Sequence, residues 1–225
     1  MARAPEVDAV NLAMVVDVVN RSAHEKVMTE SRRESLINAA AQLLDQGGPA
    51  AVTLREVGRV AGVSHNAPYK HFADKDDLLA AVAARELNRR GHVREAGAPP
   101  SPKDLMLGYV RWALRYPERF KLTFGRWSRD NAELGEAAGR SRERLVEAVA
   151  AAQTAGELPP GDPERLAALI LALAHGAADQ ALAGHLAKDG KGHADPQDLV
   201  EDLFAYLRCG ARPGEAGEVV SSQPR

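Results

Sequence analysis

Residues 53–79, TLREVGRVAGVSHNAPYKHFADKDDLL, carry several helix starts and stops in close succession, and these restrict the fold more than any other stretch. Thr53-Leu54-Arg55-Glu56 has capping-box spacing and opens a short helix with Val57 and Val60 facing inward. Ala61-Gly62-Val63 reads as a tight turn, because a residue at Gly62 needs the positive φ that only glycine adopts freely. Ser64 comes next as the expected cap of another short helix. Pro68 would break most helices, but four residues after its cap it removes at most one backbone bond, and its fixed φ stiffens a short segment. Asp74 then caps a long helix from Lys75 to about Arg94, with Leu78, Leu79, Val82 and Leu87 as its buried spine.

The remaining chain repeats this vocabulary. Ser31-Arg32-Arg33-Glu34 is a capping box ahead of an apolar face of Leu36, Ile37, Ala40, Leu43 and Leu44, and Gly47-Gly48 stops that helix. Gly97-Ala98-Pro99-Pro100 breaks the chain, and Ser101-Pro102 restarts it as cap and first-turn proline. Pro117 separates two helices, and further helices are expected over about 131–155, 163–187 and 196–208. No convincing period-two alternation occurs, so the expected class is all-α. The expected organisation is a loose extension over 1–28, a three-helix head over 29–76 joined by the long helix to a second helical domain over 77–209, and a tail over 210–225.

A short helix, a glycine turn and a second short helix form the helix-turn-helix pattern, whose second helix enters the DNA major groove. His65 and Asn66 stand on its first turn, where an asparagine side chain can pair bidentately with adenine. Tyr69, His71 and Lys75 offer hydroxyl, imidazole and ammonium donors suited to a phosphate backbone. Thr53 and Arg55 begin the preceding helix, where free N–H groups favour anions. Each of these residues alone is more often a solvated surface group; together around one turn they point to nucleic acid. Residues 31–79 resemble the DNA-binding head of the tetracycline-repressor (TetR) family, with Thr53, Ala61-Gly62-Val63-Ser64, Tyr69, His71-Phe72, Lys75 and Leu78-Leu79 matching its motif. The resemblance implies that Thr53, Tyr69, His71 and Lys75 hold phosphates while His65, Asn66 and Lys70 read bases. Pro68 departs from the bulky apolar residue often found at that position.

The second half resembles the family's variable C-terminal domain in outline. RYPERFKLTFG and LALAHGAADQAL are similar to a subgroup with a Trp-His-Gly signature, Ala174 standing where tryptophan would be. Of ten aromatic residues, six fall within 109–127, at spacings that gather them on helix faces: Tyr109, Trp112, Tyr116, Phe120, Phe124 and Trp127. Ordinary core is the plainer reading for any one of them. A ligand-pocket wall is the sharper one, with Arg115, Arg126 and His175 as the polar groups. The helix over 163–187 is apolar nearly all round and needs cover on every side; with 196–208 it could form half of a two-fold four-helix interface, as the resemblance also implies.

Bulk properties set limits without deciding. The net charge of −2 does not advertise a nucleic-acid binder, although residues 29–75 hold six bases against five acids. One cysteine, Cys209, precludes an internal disulfide and a cysteine-based zinc site. The apolar run LAALILALA at 166–174 is well short of the roughly 20 residues a membrane span needs, and no signal-peptide pattern is evident, so a cytoplasmic protein is expected. No GxSxG, HExxH, CxxC or phosphate-loop pattern occurs, and no enzyme, cofactor or metal site is expected. The leading expectation is a homodimeric, ligand-responsive transcriptional regulator acting on a palindromic DNA operator. The alternative is a constitutive or architectural DNA binder without a sensor.

Overall fold

The computed structural model describes residues 31–89 and 100–211. The expected extension over 1–28, the end of the long helix at 90–94, the break at 97–99 and the tail beyond 211 lie outside them. The first helix, α1, covers 31–51, with Ser31 already inside it rather than capping it as expected. The chain continues as α2 (Leu54–Val60), a 3-10 turn (Pro68–Lys70), α3 (Lys75–Arg89), α4 (Pro102–Arg115), α5 (Pro117–Phe124), α6 (Ala132–Thr154), α7 (Pro163–Leu182) and α8 (Pro196–Ala211). No strand occurs among the described residues, where one isolated bridge joins Ala187 and Gly192. The fold is all-α with an N-terminal helix-turn-helix.

Two compact units divide at Val82 and Ala83, with α3 running through the division. In the first, Leu36, Ile37 and Leu44 of α1 are buried with Val52, Val57, Phe72, Leu78 and Val82. Gly48 has φ +65, so the α1 backbone leaves regular geometry there even though helical residues continue to 51. In the second unit, α4 packs against α7, α8, α5 and α6, and α7 against α6 and α8. Met106, Val110, Ile170, Val149 and Phe204 lie in the shared core.

Capping chemistry sets the boundaries. The Ser101 hydroxyl accepts from Asp104 N–H at 3.1 Å, with Pro102 in the first turn of α4. Asn131 and Asp162 cap α6 and α7 in the same way. Asp77 N–H donates to Asp74 Oδ1 at 2.9 Å, and the Asp77 carboxylate reaches back to Ala73 N–H at 3.1 Å, so the start of α3 is closed from both sides. Helix α7 stops at Leu182, earlier than the sequence pattern suggested. Gly184 adopts φ +72, and the His185 and Gly184 N–H groups close onto the Gln180 and Ala181 carbonyls, ending the helix in a Schellman motif. Not every side of α7 is covered within one chain: Ala167, Ile170, Ala174 and Ala178 are buried, while Leu169 is 68% exposed. On α8, Val200 and Phe204 are buried and Tyr206 is 75% exposed.

Two glycines should respond oppositely to alanine. Gly62 has φ +67, so Gly62→Ala strains the backbone and is expected to lower stability by about 1–2 kcal/mol. Gly139 lies within α6, exposed and with open space at a Cβ, so Gly139→Ala is expected to raise stability by about 1 kcal/mol. Urea unfolding of the two variants checks both signs.

Candidate functional site

The turn between α2 and the 3-10 segment is built by backbone bonds. Val63 N–H donates to Gly58 O at 3.0 Å and Gly62 N–H to Arg59 O at 3.2 Å, a Schellman closure that needs the left-handed φ of Gly62. The next segment differs from the expected α-helix capped by Ser64. Proline has no N–H to donate to the Ser64 carbonyl, so Ala67 N–H takes that acceptor at 2.9 Å, three residues on rather than four. Lys70 N–H to Ala67 O and His71 N–H to Pro68 O continue the tight spacing, and the result is a 3-10 turn. Its N-cap is Ala67, with no side-chain cap. The Pro68 ring is itself buried: a Cβ added at Gly58 would lie 3.1 Å from its Cγ, so the α2 backbone and the ring pack in direct contact.

This construction holds Ser64, His65, Asn66, Tyr69 and Lys70 on the outside, Tyr69 with 58% of its surface exposed. His71 and Lys75 are half-buried beside them, Lys75 as the first residue of α3. Thr53 Oγ1 accepts from Glu56 N–H at 3.2 Å, which leaves the hydroxyl proton available to another acceptor. Only half of the expected capping box forms, because the Glu56 carboxylate pairs with Arg59 at 2.6 Å. Arg55 is exposed one position into α2. Arg33 lies over the Phe72 ring at 5.2 Å. The His71 imidazole is held below its ordinary value of 6.5, first by burial and then by the Arg33, Arg32 and Lys70 charges.

In the second unit, Tyr109, Trp112, Phe120, Phe124 and His175 come together. The Tyr109 hydroxyl and His175 Nδ1 share a 2.7 Å hydrogen bond, and the imidazole lies 5.0 Å from the Phe120 ring and 5.2 Å from Phe124. Arg115 and Trp127 do not join this group: Arg115 is exposed and donates to the Tyr116 hydroxyl at 3.1 Å, and Trp127 makes no ring contact with it. Arg126 is exposed as well. Two cavities flank Tyr109. One of about 230 Å³ is mainly apolar, with Leu105, Met106, Leu145 and Leu171 in its wall and Arg142, paired to Glu164 at 2.8 Å, at its edge. The other, about 540 Å³, is lined by Trp112, Tyr116 and several arginines.

Sequence reasoning missed Glu86, which is 4% exposed. Trp112 Nε1–H donates to its Oε2 at 2.9 Å, and Arg119 to its Oε1 at 3.1 Å, with Arg85 at 3.5 Å. A buried carboxylate needs such partners. The available signal was an acid four residues after Val82 on a buried helix face.

Two family models match the chain: bacterial regulatory proteins of the tetR family over residues 36–82, and the tetracyclin repressor-like C-terminal domain over residues 103–207. The chain belongs to the TetR family. The HTH-type transcriptional regulator BetI of Rhizobium meliloti (strain 1021) is 29% identical over 102 residues, which span 44% of this chain and 50% of that protein. The chain thus matches about half the length of this relative. A solved structure from Rhodococcus sp. RHA1, a protein with unknown function, is 30% identical with a TM-score of 0.65, covering 80% of this chain and 94% of that one. A TetR regulator from Streptomyces coelicolor shares the fold at 22% identity and a TM-score of 0.57, over 80% and 99% of the two chains. The head of this TetR-family regulator therefore coincides with the turn built around Gly62 and Pro68, and Glu86 falls between the two matched segments.

Because the folded head prefers neutral His71, that contribution to stability is intact above pH 6.5 and is lost as pH falls through the lower folded value. Thermal unfolding on acidification should show this slope, and His71→Gln should flatten it. Glu86→Ala leaves two largely buried guanidinium groups without their acid and is expected to cost about 3–5 kcal/mol, with Glu86→Gln milder. Urea unfolding followed by indole fluorescence reads both, since Trp112 is a direct partner.

Proposed function

We propose that this TetR-family protein is a ligand-responsive repressor that binds a palindromic operator as a homodimer. The observation that carries the reading is the solvent-facing set His65, Asn66, Tyr69 and Lys70 on a turn anchored by the buried Pro68. An exposed tyrosine between polar donors suits phosphate and base contact better than packing. In this reading His65, Asn66 and Lys70 face base edges, with Ser64 beside them. Thr53, Arg55, Tyr69, His71 and Lys75 hold the flanking phosphates.

Dimerisation is supported by the apolar surface left on α7 and α8, where Leu169 and Tyr206 are exposed on helices whose other faces are core. A second copy covering that surface would present two reading turns, and a repeat of about 34–36 Å is required for adjacent major grooves on one side of DNA. Effector response is supported by the two cavities that Tyr109 borders, one with Phe124 in its wall and the other with Trp112, while Phe120 and His175 pack against Tyr109 without lining either. A ligand releases DNA only if it binds the non-binding state more tightly.

Gel-shift titration on duplex from upstream of the protein's own gene tests the DNA reading. Tyr69→Ala is expected to weaken the complex at least about tenfold, consistent with loss of a phosphate contact next to the groove. Sedimentation should give a dimer, and Leu169→Asp with Tyr206→Asp a folded monomer of lower DNA affinity. A complex that resists every metabolite tried would favour a constitutive DNA binder.

A further inference from the structure

We propose that the cavity of about 540 Å³ bordered by α3, α4 and α5 is a binding site for a planar aromatic carboxylate. The proposal deepens the regulator reading, and rests on it only for the claim that this ligand is the effector. The volume lies within the roughly 300–1,000 Å³ of small-molecule pockets.

The charges select the sign. Arg89, Arg111 and Arg119 line the space with Glu86 and Asp104. Both acids are satisfied: Glu86 by Trp112 and Arg119, and Asp104 by the Ser101 hydroxyl at 2.9 Å. Arg89 and Arg111 have no hydrogen bond or ion pair among the described residues, and both are exposed. A cation would have to compete with Arg119 for Glu86, whereas an anion finds two uncommitted guanidinium forks. Those forks suit a carboxylate bidentately.

The aromatic residues select the body. The Trp112 N–H is spent on Glu86, so the indole offers ring atoms rather than a hydrogen bond. Arg119 lies over the Tyr116 ring at 4.4 Å, and the Tyr116 hydroxyl, which accepts from Arg115, keeps its proton to donate to an anion. The indole favours a flat ring system as the body of the ligand, and the phenol proton adds a donor for its carboxylate. Gly108 opens the wall further: a Cβ there would meet nothing within 4 Å.

Calorimetry on the full chain tests this with naphthalene-2-carboxylate and indole-3-acetate, beside the corresponding amides and a naphthylmethylammonium salt. One carboxylate per chain is expected to bind, the amide at least tenfold weaker, and the ammonium not at all. Arg89→Ala and Arg111→Ala should each weaken carboxylate binding about tenfold. Gly108→Leu should abolish it without lowering the melting temperature, since a helical glycine with open space gains stability on substitution, which separates occlusion from misfolding. Equal binding of amide and carboxylate, binding of the ammonium, no carboxylate binding, or indifference to Gly108→Leu overturns the proposal. A gel shift then separates the layers. If the carboxylate binds but the protein–DNA complex persists, the effector assignment falls. If the ligand-free protein binds no duplex, the regulator reading falls, and calorimetry still decides the cavity.

Discussion

The missing N–H of Pro68 governs how the first unit is built. Without it the Ser64 carbonyl is taken by Ala67, the spacing tightens to three residues, and the segment becomes a 3-10 turn. A turn of three residues has almost no intrinsic stability, so its geometry depends on what it packs against. That support is the contact between the buried proline ring and α2 at Gly58. The ring occupies space that a larger apolar side chain would otherwise fill, and the polar residues on either side are turned outward as a consequence. Packing and surface chemistry here have one origin.

The second unit solves a different problem. Its helices pack through aliphatic contacts between α4, α7 and α8, which are tolerant of small shifts. Superimposed on that tolerance is the Glu86 cluster, which is directional: an indole N–H, two guanidinium groups and one carboxylate have a single good arrangement. The cavity of about 540 Å³ is lined by this fixed point, and Tyr109 and Leu105 border both cavities. Phe120 and His175 thus lie on the core side and Trp112 and Tyr116 on the cavity side, with Tyr109 reaching both.

Much of this was legible in the sequence, for reasons that differ by element. Caps at Thr53 and Ser101 are local, because each side chain bonds the N–H three residues ahead. Periodicity likewise marked Leu36, Ile37, Leu44, Leu78 and Val82 as core. The 3-10 turn was harder, since Pro68 removes only one bond of an α-helix capped at Ser64, and the tighter bonding of Ala67 to the Ser64 carbonyl is seen only in the fold. The early end of α7 turned on the φ of Gly184, which the apolar pattern through Leu186 masked. Glu86 was harder to read for a deeper reason: its hydrogen-bond partners lie 26 and 33 residues away, so its place on a buried helix face does not show what satisfies it.

Arg119 illustrates how narrowly the Glu86 cluster constrains its members. Its guanidinium donates within its plane to the carboxylate, while the Tyr116 ring lies 4.4 Å from its central carbon. One flat, delocalised group therefore serves as hydrogen-bond fork and stacking surface at once. Lysine could keep the charge at that position, but a compact ammonium cannot be edge-on to an acid and face-on to a phenol together. The site is thus chemically particular to arginine, and a substitution table that treats the two bases as equivalent would misjudge it.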